Sequence, residues 1–294
     1  MRIQFLNGGL ANQVFQYIFV QFAEKYYPGE QWFFDDSFFF VNDVHNGYEL
    51  EKVFGVKPNL LSNYFDKEVW GEMIRLKKEG SSIPQSFMDM GIPMIMLAET
   101  SNHIKFNPFN GEIVQIMSNE FRPDIVKFPA ENVYYHGYWI NKSYLASYRD
   151  EILTELKFPS LTDAKNLAYA NQINSSLSVG IHIRRGDFLK IGWDLPDDYY
   201  KANCGVILKA YPEATFFVFS DDSNWCMSNA DALGLNLAKE TIYVTGNVDG
   251  NNYIDMQLLS MCKGMLMSNS SFCYLAALMD DKLQFVVNPT TREV

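Results

Sequence analysis

Short apolar runs alternate with helical patterns through the second half of the chain, and this alternation constrains the fold most strongly. The runs are β-rich and nearly continuous in apolar residues, which is typical of parallel strands covered on both faces. They predict strands at residues 177–183, 215–220, 241–245, 264–268 and 283–287. Helices are predicted between them at residues 197–211, 224–233, 253–262 and 271–279. This order predicts a Rossmann-like domain of the α/β class, in which ligands bind at the carboxyl ends of the strands.

The beginning of the chain has the same order of strand, glycine-rich turn and helix. A strand is predicted at residues 2–6 and a buried helix at residues 14–27, because apolar residues recur there at helical spacing. From residue 31 to about residue 132 aromatic residues are dense and prolines and glycines recur, so we expect irregular αβ structure with loops that shape an acceptor site. A further helix is expected at about residues 143–156.

The length of 294 residues favours two domains of comparable size. The boundary is predicted at Phe158-Pro159-Ser160. It gives an N-terminal α/β domain of residues 1–158, on the acceptor side, and a Rossmann-like domain of residues 159–294 that binds the nucleotide. We expect the two domains to face each other across a cleft.

Charge and composition argue against several classes of protein. The formal net charge of −11 repels nucleic acid and anionic lipid at long range, so no nucleic-acid partner is expected. No apolar stretch approaches the roughly 20 residues of a membrane span, and the start of the chain lacks the apolar region of a signal peptide. The four cysteines have no metal-binding spacing and indicate buried free thiols. We therefore expect a cytoplasmic protein, with association at the inner membrane face left open.

The segment His182-Ile183-Arg184-Arg185-Gly186-Asp187 carries the strongest functional signal. Its two arginines follow a buried predicted strand at the carboxyl end, where ligands of parallel sheets bind. Arginine offers a planar fork of donors that matches phosphate oxygens, and it stays charged near neutral pH. Gly186 would allow a close backbone approach or a positive φ angle, and Asp187 would anchor a guanidinium group or act as an acid or base. An ion pair that merely ends a strand does not explain both arginines, so the segment predicts a site for the diphosphate of a sugar nucleotide.

Two further polar segments follow predicted strands. Asp221 and Asp222 come after the strand at residues 215–220, and two interpretations stay open for them: a ligand contact and the N-cap of the next helix. Asn269, Ser270 and Ser271 come directly before or at the start of a predicted helix, where hydroxyl and free N–H groups favour an anion. Helix capping alone would explain one of these serines.

The glycine-rich segment at residues 7–13 is a weak phosphate signal, because it has neither the Walker A nor the GxGxxG pattern. A tight turn between strand and helix explains it as well, while Asn12 and Gln13 in the first helical turn are available to touch a ligand. The chain has no Asp-x-Asp triplet, so the usual carboxylate clamp for a metal–diphosphate complex is not expected. Arginine would then neutralise the charge that grows on the leaving diphosphate.

Taken together, these segments resemble a known enzyme family. GGLANQVFQY, GYWINKSYL, SVGIHIRRGDF, FFVFSDDSNWC and LLSMCKGMLMSNSSF occur in the same order as in the α-1,2-fucosyltransferases of glycosyltransferase family 11. The resemblance spans nearly the whole chain, and the His-x-Arg-Arg-x-Asp motif is shared also with α-1,6- and protein O-fucosyltransferases. It implies a GT-B architecture, GDP-β-L-fucose as the donor substrate, inversion at the anomeric carbon, and no metal or other cofactor.

The resemblance also implies roles for individual residues. Four residues are candidates for catalysis: Arg184, Asp187, His182 and Asn12. Six residues are candidates for binding the donor: Arg184, Arg185, Asp222, Asn269, Ser270 and Ser271. In this assignment Arg184 binds the β-phosphate, and Asp222 recognises guanine. His182 lies near the nucleotide, and both it and Asp187 are candidates for the base.

Some residues of this sequence depart from the family pattern. They affect the edge of the predicted site and its packing more than the arginine motif. Ala11, Ile140, Gly264 and Tyr274-Leu275 replace residues that are usual in the family. They leave the acceptor less defined than the donor. The resulting hypothesis is transfer of L-fucose to the 2-hydroxyl of a terminal galactoside in a glycan acceptor. The alternatives are a fucosyltransferase of another linkage and a non-catalytic module that binds a sugar nucleotide or a glycan.

Overall fold

The computed structural model describes residues 1–44, 46–100, 109–117 and 123–289. The chain forms two compact units, one of Met1–Lys157 and one that begins at Phe158. Each unit contains a five-stranded sheet, and every strand pair in both sheets is parallel. The predicted α/β class with two Rossmann-like sheets is therefore confirmed.

The first unit surrounds its sheet with nine helices among the described residues. Its strands are β1 (Arg2–Phe5), β2 (Trp32–Asp35), β3 (Ile95–Thr100), β4 (Glu112–Met117) and β5 (Val133–His136), in the order β2-β1-β5-β3-β4. Its helices are α1 (Leu10–Tyr26), α2 (Phe38–Val41), α3 (Leu50–Phe54), α4 (Leu61–Tyr64), α5 (Lys67–Lys78), α6 (Ile83–Asp89), α7 (Pro123–Val126), α8 (Lys142–Ser147) and α9 (Arg149–Glu155). Helix α1 is buried as predicted and begins earlier than predicted, at Leu10.

The described residues between 31 and 132 form more regular structure than their composition predicts. They contribute strands β2, β3 and β4 and helices α2 to α7. Trp32, Phe33 and Phe34, three of the aromatic residues that suggested irregular loops, are buried in β2, whereas the three phenylalanines of α2 are at least partly exposed. All four residues of β2 are buried, so the strand shows no alternation of polar and apolar positions that a pattern could detect.

The single helix predicted at residues 143–156 is wrong, because α8 and α9 are separate. Tyr148 lies between them with φ −113° and ψ 7°. Its buried ring packs edge to face on Phe22 of α1, with 5.9 Å between the ring centroids. This tertiary contact outweighs the local preference for one continuous helix.

The second unit contains all the strands and helices predicted for it. Its strands are β6 (Leu177–Ile183), β7 (Ala214–Ser220), β8 (Thr241–Tyr243), β9 (Gly264–Leu266) and β10 (Phe285–Val287), in the order β10-β9-β6-β7-β8. Its helices are α10 (Ala164–Ser175), α11 (Gly186–Ile191), α12 (Asp197–Ala210), α13 (Ser223–Ser228), α14 (Tyr253–Leu259) and α15 (Ser271–Met279), with a 3-10 turn at Leu235–Leu237. Strands β8 to β10 and helices α13 and α14 are shorter than predicted, and α10 and α11 are additional.

Strands β6 and β7, neighbours in the second sheet, contribute much of the apolar core of this unit. Val179, Ile181, Phe216 and Val218 are fully buried and belong to one apolar cluster with Tyr200 of α12. Burial of each such side chain contributes about 1.5–3 kcal/mol to folding. The buried strand β6 therefore gives the arginine segment that follows it a rigid attachment to the core. Among the described residues, none of the helices has both the length and the apolar character to cross a membrane.

Candidate functional site

The arginine segment and the aspartate pair lie side by side at one edge of the second sheet. Strands β6 and β7 are parallel, and Ile183 at the end of β6 is in register with Ser220 at the end of β7. Arg184 directly follows β6 and Asp221 directly follows β7. The two residues therefore lie next to each other at the edge of the sheet. This edge, at the carboxyl ends of parallel strands, is where ligands bind in such sheets.

Arg184 is held by two carboxylates. Its Nε and Nη2 atoms donate to Oδ1 of Asp187 at 3.1 and 2.7 Å, and Nη1 lies 3.1 Å from Oδ2 of Asp221. The side chain remains 27% exposed. A guanidinium group has five N–H donors, so donors remain on both terminal nitrogens for the oxygens of an anionic ligand.

Arg185 is fixed by its backbone and by an aromatic ring. Its backbone N–H donates to Oδ1 of Asp221 at 2.9 Å, and its Nε lies 3.6 Å from Oδ2 of Asp222. The guanidinium carbon lies 3.3 Å from the centroid of the Trp225 ring, which is a cation–π contact. Arg185 therefore adds positive charge at the same edge of the sheet.

The two aspartates after β7 make different contacts within the protein. Asp222 is the N-cap of α13, and its Oδ1 accepts a hydrogen bond from the backbone N–H of Trp225 at 3.2 Å. Asp221 contacts both arginines, a role that the sequence analysis did not give to this residue in particular. The signal for it was present, because an acidic residue after β7 is adjacent to the arginines after β6 once the two strands pair.

His182 is a buried member of the same segment. Its Nδ1 lies 2.8 Å from Oγ of Ser268, and its ring stacks on Phe272 with 5.2 Å between centroids. Burial, together with the positive charge of Arg184, lowers the pKa of His182 to about 3. The ring is therefore neutral at physiological pH, and so low a pKa makes it a weak proton acceptor.

Asn269, Ser270 and Ser271 follow β9, the other neighbour of β6 in the sheet. Ser270 is the N-cap of α15, and its hydroxyl accepts a hydrogen bond from the backbone N–H of Phe272 at 3.3 Å. The Nδ2 group of Asn269 donates to the carbonyl of Trp193 at 2.8 Å. Its buried Oδ1 has no hydrogen-bond partner within the described part of the chain. Three neighbouring strands, β9, β6 and β7, thus bring the predicted donor-binding residues to one edge.

Asn12 belongs to the first unit. It lies in the first turn of α1, after β1, and is partly exposed. Gly8 has a φ of 77°, and a Cβ atom there would lie 2.6 Å from Nδ2 of Asn12. The glycine-rich turn thus leaves room for the Asn12 side chain.

The first unit also contains a constrained turn that the sequence analysis missed. Trp139, in the GYW segment, has a φ of 56°, which is rare for a bulky residue. Glu99 accepts hydrogen bonds from the backbone N–H groups of Tyr138 and Trp139 at 2.7 and 3.1 Å. The indole of Trp139 donates to Gln4 at 2.7 Å. Strain that is held from several sides is typical of functional regions.

A second cluster that the sequence missed lies beyond β8. Asn247 donates to Oδ1 of Asp255 at 2.7 Å and to Oδ1 of Asn166 at 3.0 Å. Burial is the main cause that raises the pKa of Asp255 to about 6. Asp255 occurs in an amphipathic helix, where an acidic residue is usually part of a solvated face, so no sequence signal marked it. Within the described residues no group of three or more histidine, cysteine or acidic side chains is placed to hold a metal ion.

Comparison with known proteins identifies the family. Residues 94–292 match the sequence model described as Glycosyl transferase family 11. The chain belongs to glycosyltransferase family 11. The family expected from the sequence motifs is therefore confirmed, and the protein is a glycosyltransferase.

Relatives of this family 11 chain include bacterial and mammalian enzymes. The α-1,2-colitosyltransferase of Escherichia coli is 26% identical over 295 residues, which cover 97% of this chain and 90% of that protein. Galactoside α-(1,2)-fucosyltransferase 2 of Rattus norvegicus is 25% identical over 161 residues, 51% of this chain and 44% of that protein. The solved α-1,6-fucosyltransferase NodZ, soaked with GDP-fucose, has a TM-score of 0.56 at 12% identity and covers 99% of this chain and 95% of its own. At that identity the likeness shows a shared fold.

Proposed function

We propose that this family 11 protein transfers L-fucose from GDP-β-L-fucose to the 2-hydroxyl of a terminal galactoside, with inversion and without a metal ion. The observation that carries the proposal is the Arg184 guanidinium, held by Asp187 and Asp221 with donors left for a ligand. The mammalian relative is named as a galactoside α-(1,2)-fucosyltransferase, and the NodZ structure was soaked with GDP-fucose.

In the proposed reaction the bond between the fucose anomeric carbon and the diphosphate breaks, and GDP leaves. A new bond forms from the galactoside O2 atom to the opposite face of that carbon, and the hydroxyl proton passes to solvent water. The transition state resembles an oxocarbenium ion, by analogy with glycoside hydrolysis. Arg184 stabilises the negative charge that grows on the β-phosphate. A guanidinium that is already held in position interacts most strongly with charge that develops in the transition state.

The other residues hold the donor in place. Arg185 adds positive charge beside the diphosphate, and Ser270, Ser271 and Asn269 supply hydroxyl, amide and backbone groups at the start of α15. Asp222 accepts hydrogen bonds from guanine through the oxygen that does not cap α13. In this proposal residues 159–294 bind the nucleotide, and residues 1–158 bind the acceptor. Asn12 of that first domain is the proposed catalytic residue on the acceptor side.

One role remains to be assigned, that of the base that accepts the proton of the galactoside 2-hydroxyl. His182 and Asp187 are the two candidates from the sequence, and the low pKa of His182 argues against that residue. Asp187 uses Oδ1 for both of its bonds to Arg184. We therefore assign Asp187 to orienting Arg184, with stabilisation of the leaving group as the main source of catalysis.

A second donor is favoured by one comparison. The α-1,2-colitosyltransferase matches almost the full length of both chains, whereas the mammalian fucosyltransferase matches about half of each. Colitose differs from fucose by the absence of the 3-hydroxyl group, so the same diphosphate and guanine contacts would bind either donor. Rates with GDP-fucose and GDP-colitose, measured separately and in competition, distinguish the two.

The test uses the purified protein, GDP-fucose and lactose. We expect GDP release that depends on lactose, and a trisaccharide whose fucose is linked α-1,2 to galactose by NMR and methylation analysis. A product with an α-1,6 linkage, or a product formed only on a peptide acceptor, would contradict the proposed α-1,2 linkage and support a fucosyltransferase of another linkage. Binding of GDP without turnover on a panel of galactosides would support the non-catalytic binding module instead.

A further inference from the structure

The thiol of Cys273 belongs to a chain of close polar contacts that ends at His182. Its Sγ lies 3.1 Å from the carbonyl oxygen of Ser270 and 3.3 Å from that of Ser268. Both carbonyls only accept hydrogen bonds, so the thiol donates its proton to them. Burial raises the pKa of the Cys273 thiol to about 11, and it therefore keeps this proton at physiological pH.

Ser268 is the middle member of this chain. Its Oγ lies 3.8 Å from Sγ of Cys273 and 2.8 Å from Nδ1 of His182. Because the thiol proton is directed at the carbonyls, the sulfur presents lone pairs to Ser268. If the hydroxyl of Ser268 donates to the sulfur, its oxygen can accept a hydrogen bond from the Nδ1–H group of His182.

The neutral ring of His182 carries one N–H proton, which is on either Nδ1 or Nε2. Burial and Arg184 lower the pKa of His182 to about 3, so the doubly protonated ring is absent at physiological pH. The stacking of the ring on Phe272, at an interplanar angle of 16°, fixes its plane. No described residue forms a hydrogen bond with Nε2, and this nitrogen carries the lone pair once Nδ1 holds the proton.

We propose that Ser268, oriented by Cys273, holds His182 in the Nδ1–H tautomer, so that Nε2 accepts a hydrogen bond from an N–H or O–H group of the sugar nucleotide. Ser268 is a positioning residue in this assignment, since it acts through His182. The identity of the ligand rests on the proposed function, whereas the tautomer is a property of the protein alone. The oxygens of an unprotonated diphosphate cannot donate a hydrogen bond, so His182 in this tautomer does not bind the diphosphate through Nε2.

The tautomer is tested by NMR of the protein labelled with ¹⁵N-histidine. The signals of His182 are assigned by their loss in His182→Gln, and the ¹⁵N shifts distinguish the protonated nitrogen from the one with a lone pair. We expect Nδ1 to carry the proton in the unmodified protein and in Ser268→Thr, which keeps the hydroxyl. In Ser268→Ala and Cys273→Ala the Nε2–H form should appear. An Nε2–H ring in the unmodified protein, or no change in either alanine variant, overturns the proposal.

Cys204→Ala is the matched control, because Cys204 is another buried thiol of the same unit and lies outside the chain of bonds. It should leave the His182 signals unchanged. If Ser268→Ala does not fold, Cys273→Ala decides by the same criterion, since it removes the sulfur while leaving Ser268 and His182 in place.

Donor kinetics provide the second arm. Ser268→Ala should raise the KM for GDP-fucose about tenfold, the value of one hydrogen bond, with a smaller change in kcat, and Ser268→Thr should restore it. A donor KM that stays unchanged in Ser268→Ala overturns the proposed contact. Absence of any transfer from GDP-fucose by the unmodified protein would instead contradict the proposed function, and the NMR arm would still decide the tautomer.

Discussion

A Cβ atom on Gly186 would lie 2.5 Å from Oδ2 of Asp221, so a glycine at this position is what lets the carboxylate reach the arginine segment. The same Oδ2 lies 3.1 Å from Nη1 of Arg184, and Oδ1 accepts from the backbone N–H of Arg185. Of the two explanations that the sequence offered for Gly186, close approach is correct and a positive φ angle is not. The glycine and the aspartate thus act together to orient both arginines.

Gly186→Ala should weaken donor binding. The added methyl group displaces the Asp221 carboxylate, and loss of a hydrogen bond to a charged group costs about 1.5–3 kcal/mol. Because Asp221 then no longer orients Arg184, we expect the KM for GDP-fucose to rise by about tenfold or more, while the protein stays folded. Initial rates over a range of donor concentrations, with circular dichroism of the same samples, measure both effects.

Gly205→Ala is the control for that substitution. Gly205 lies inside α12, and a Cβ atom there would meet no atom within 4 Å. The change should leave the kinetics unaltered and raise the free energy of unfolding by about 1 kcal/mol, because alanine favours helix. Equal kinetic losses in the two variants would contradict the role given to Gly186.

Arg184→Lys should lose most of the transfer activity although it keeps the positive charge. A lysine ammonium cannot form the planar fork that bonds Asp187 and the diphosphate together. Loss of one such electrostatic donor lowers kcat by about 10²–10³. Arg75, which forms exposed ion pairs with Glu72 and Glu79, is the control, and Arg75→Lys should leave kcat unchanged. Near-normal turnover by a folded Arg184→Lys variant would contradict the proposed role of the Arg184 guanidinium in binding the diphosphate.

Asp187→Asn separates the two roles proposed for this residue. If Asp187 orients Arg184, the asparagine oxygen keeps the hydrogen bonds and the loss of kcat is under about tenfold, since only charge assistance disappears. A general base would lose about 10²–10⁴. We expect the smaller loss, measured as kcat with saturating donor and lactose. A loss of the larger size in a variant that still binds GDP would make Asp187 the base.

The sequence predicted the second unit better than the first, and the reason is physical. Each strand of the second sheet is a short apolar run followed by polar residues, so strand β6 and Arg184 were both evident. Asp221 was not assigned, because its contact depends on which strand pairs with β6, and pairing is a long-range property. In the first unit β2 is buried at every position, and the turn at Trp139 depends on Glu99, which is distant in sequence. Neither feature leaves a local pattern.

Removal of divalent metal ions should leave the transfer rate unchanged. In the proposed mechanism Arg184 and Arg185 supply the positive charge that a metal ion supplies to diphosphates elsewhere. The measurement is the initial rate of GDP release after dialysis against EDTA, followed by titration with Mg²⁺ and Mn²⁺. A rate that falls on dialysis and returns with either ion would contradict the metal-independent part of the proposal.

Asp255→Asn should change the dependence of stability on pH. Burial raises the pKa of Asp255 from 3.8 to about 6 in the folded protein. Between these two values the folded state binds more protons than the unfolded state, so this carboxyl makes the folded protein less stable as the pH rises. Asparagine is neutral at every pH, and its Oδ1 still accepts the hydrogen bond from Asn247.

Relative to the unmodified protein, Asp255→Asn should therefore gain about 1 kcal/mol of stability between pH 5 and pH 7.5. Urea unfolding at the two pH values measures this difference. Asp163→Asn is the contrasting variant, because hydrogen bonds from Asn166 lower the pKa of Asp163, and its loss should matter more at neutral than at acidic pH. If the difference between Asp255→Asn and the unmodified protein is the same at both pH values, the carboxyl does not titrate there. The cluster with Asn247 would then hold it ionised despite its burial.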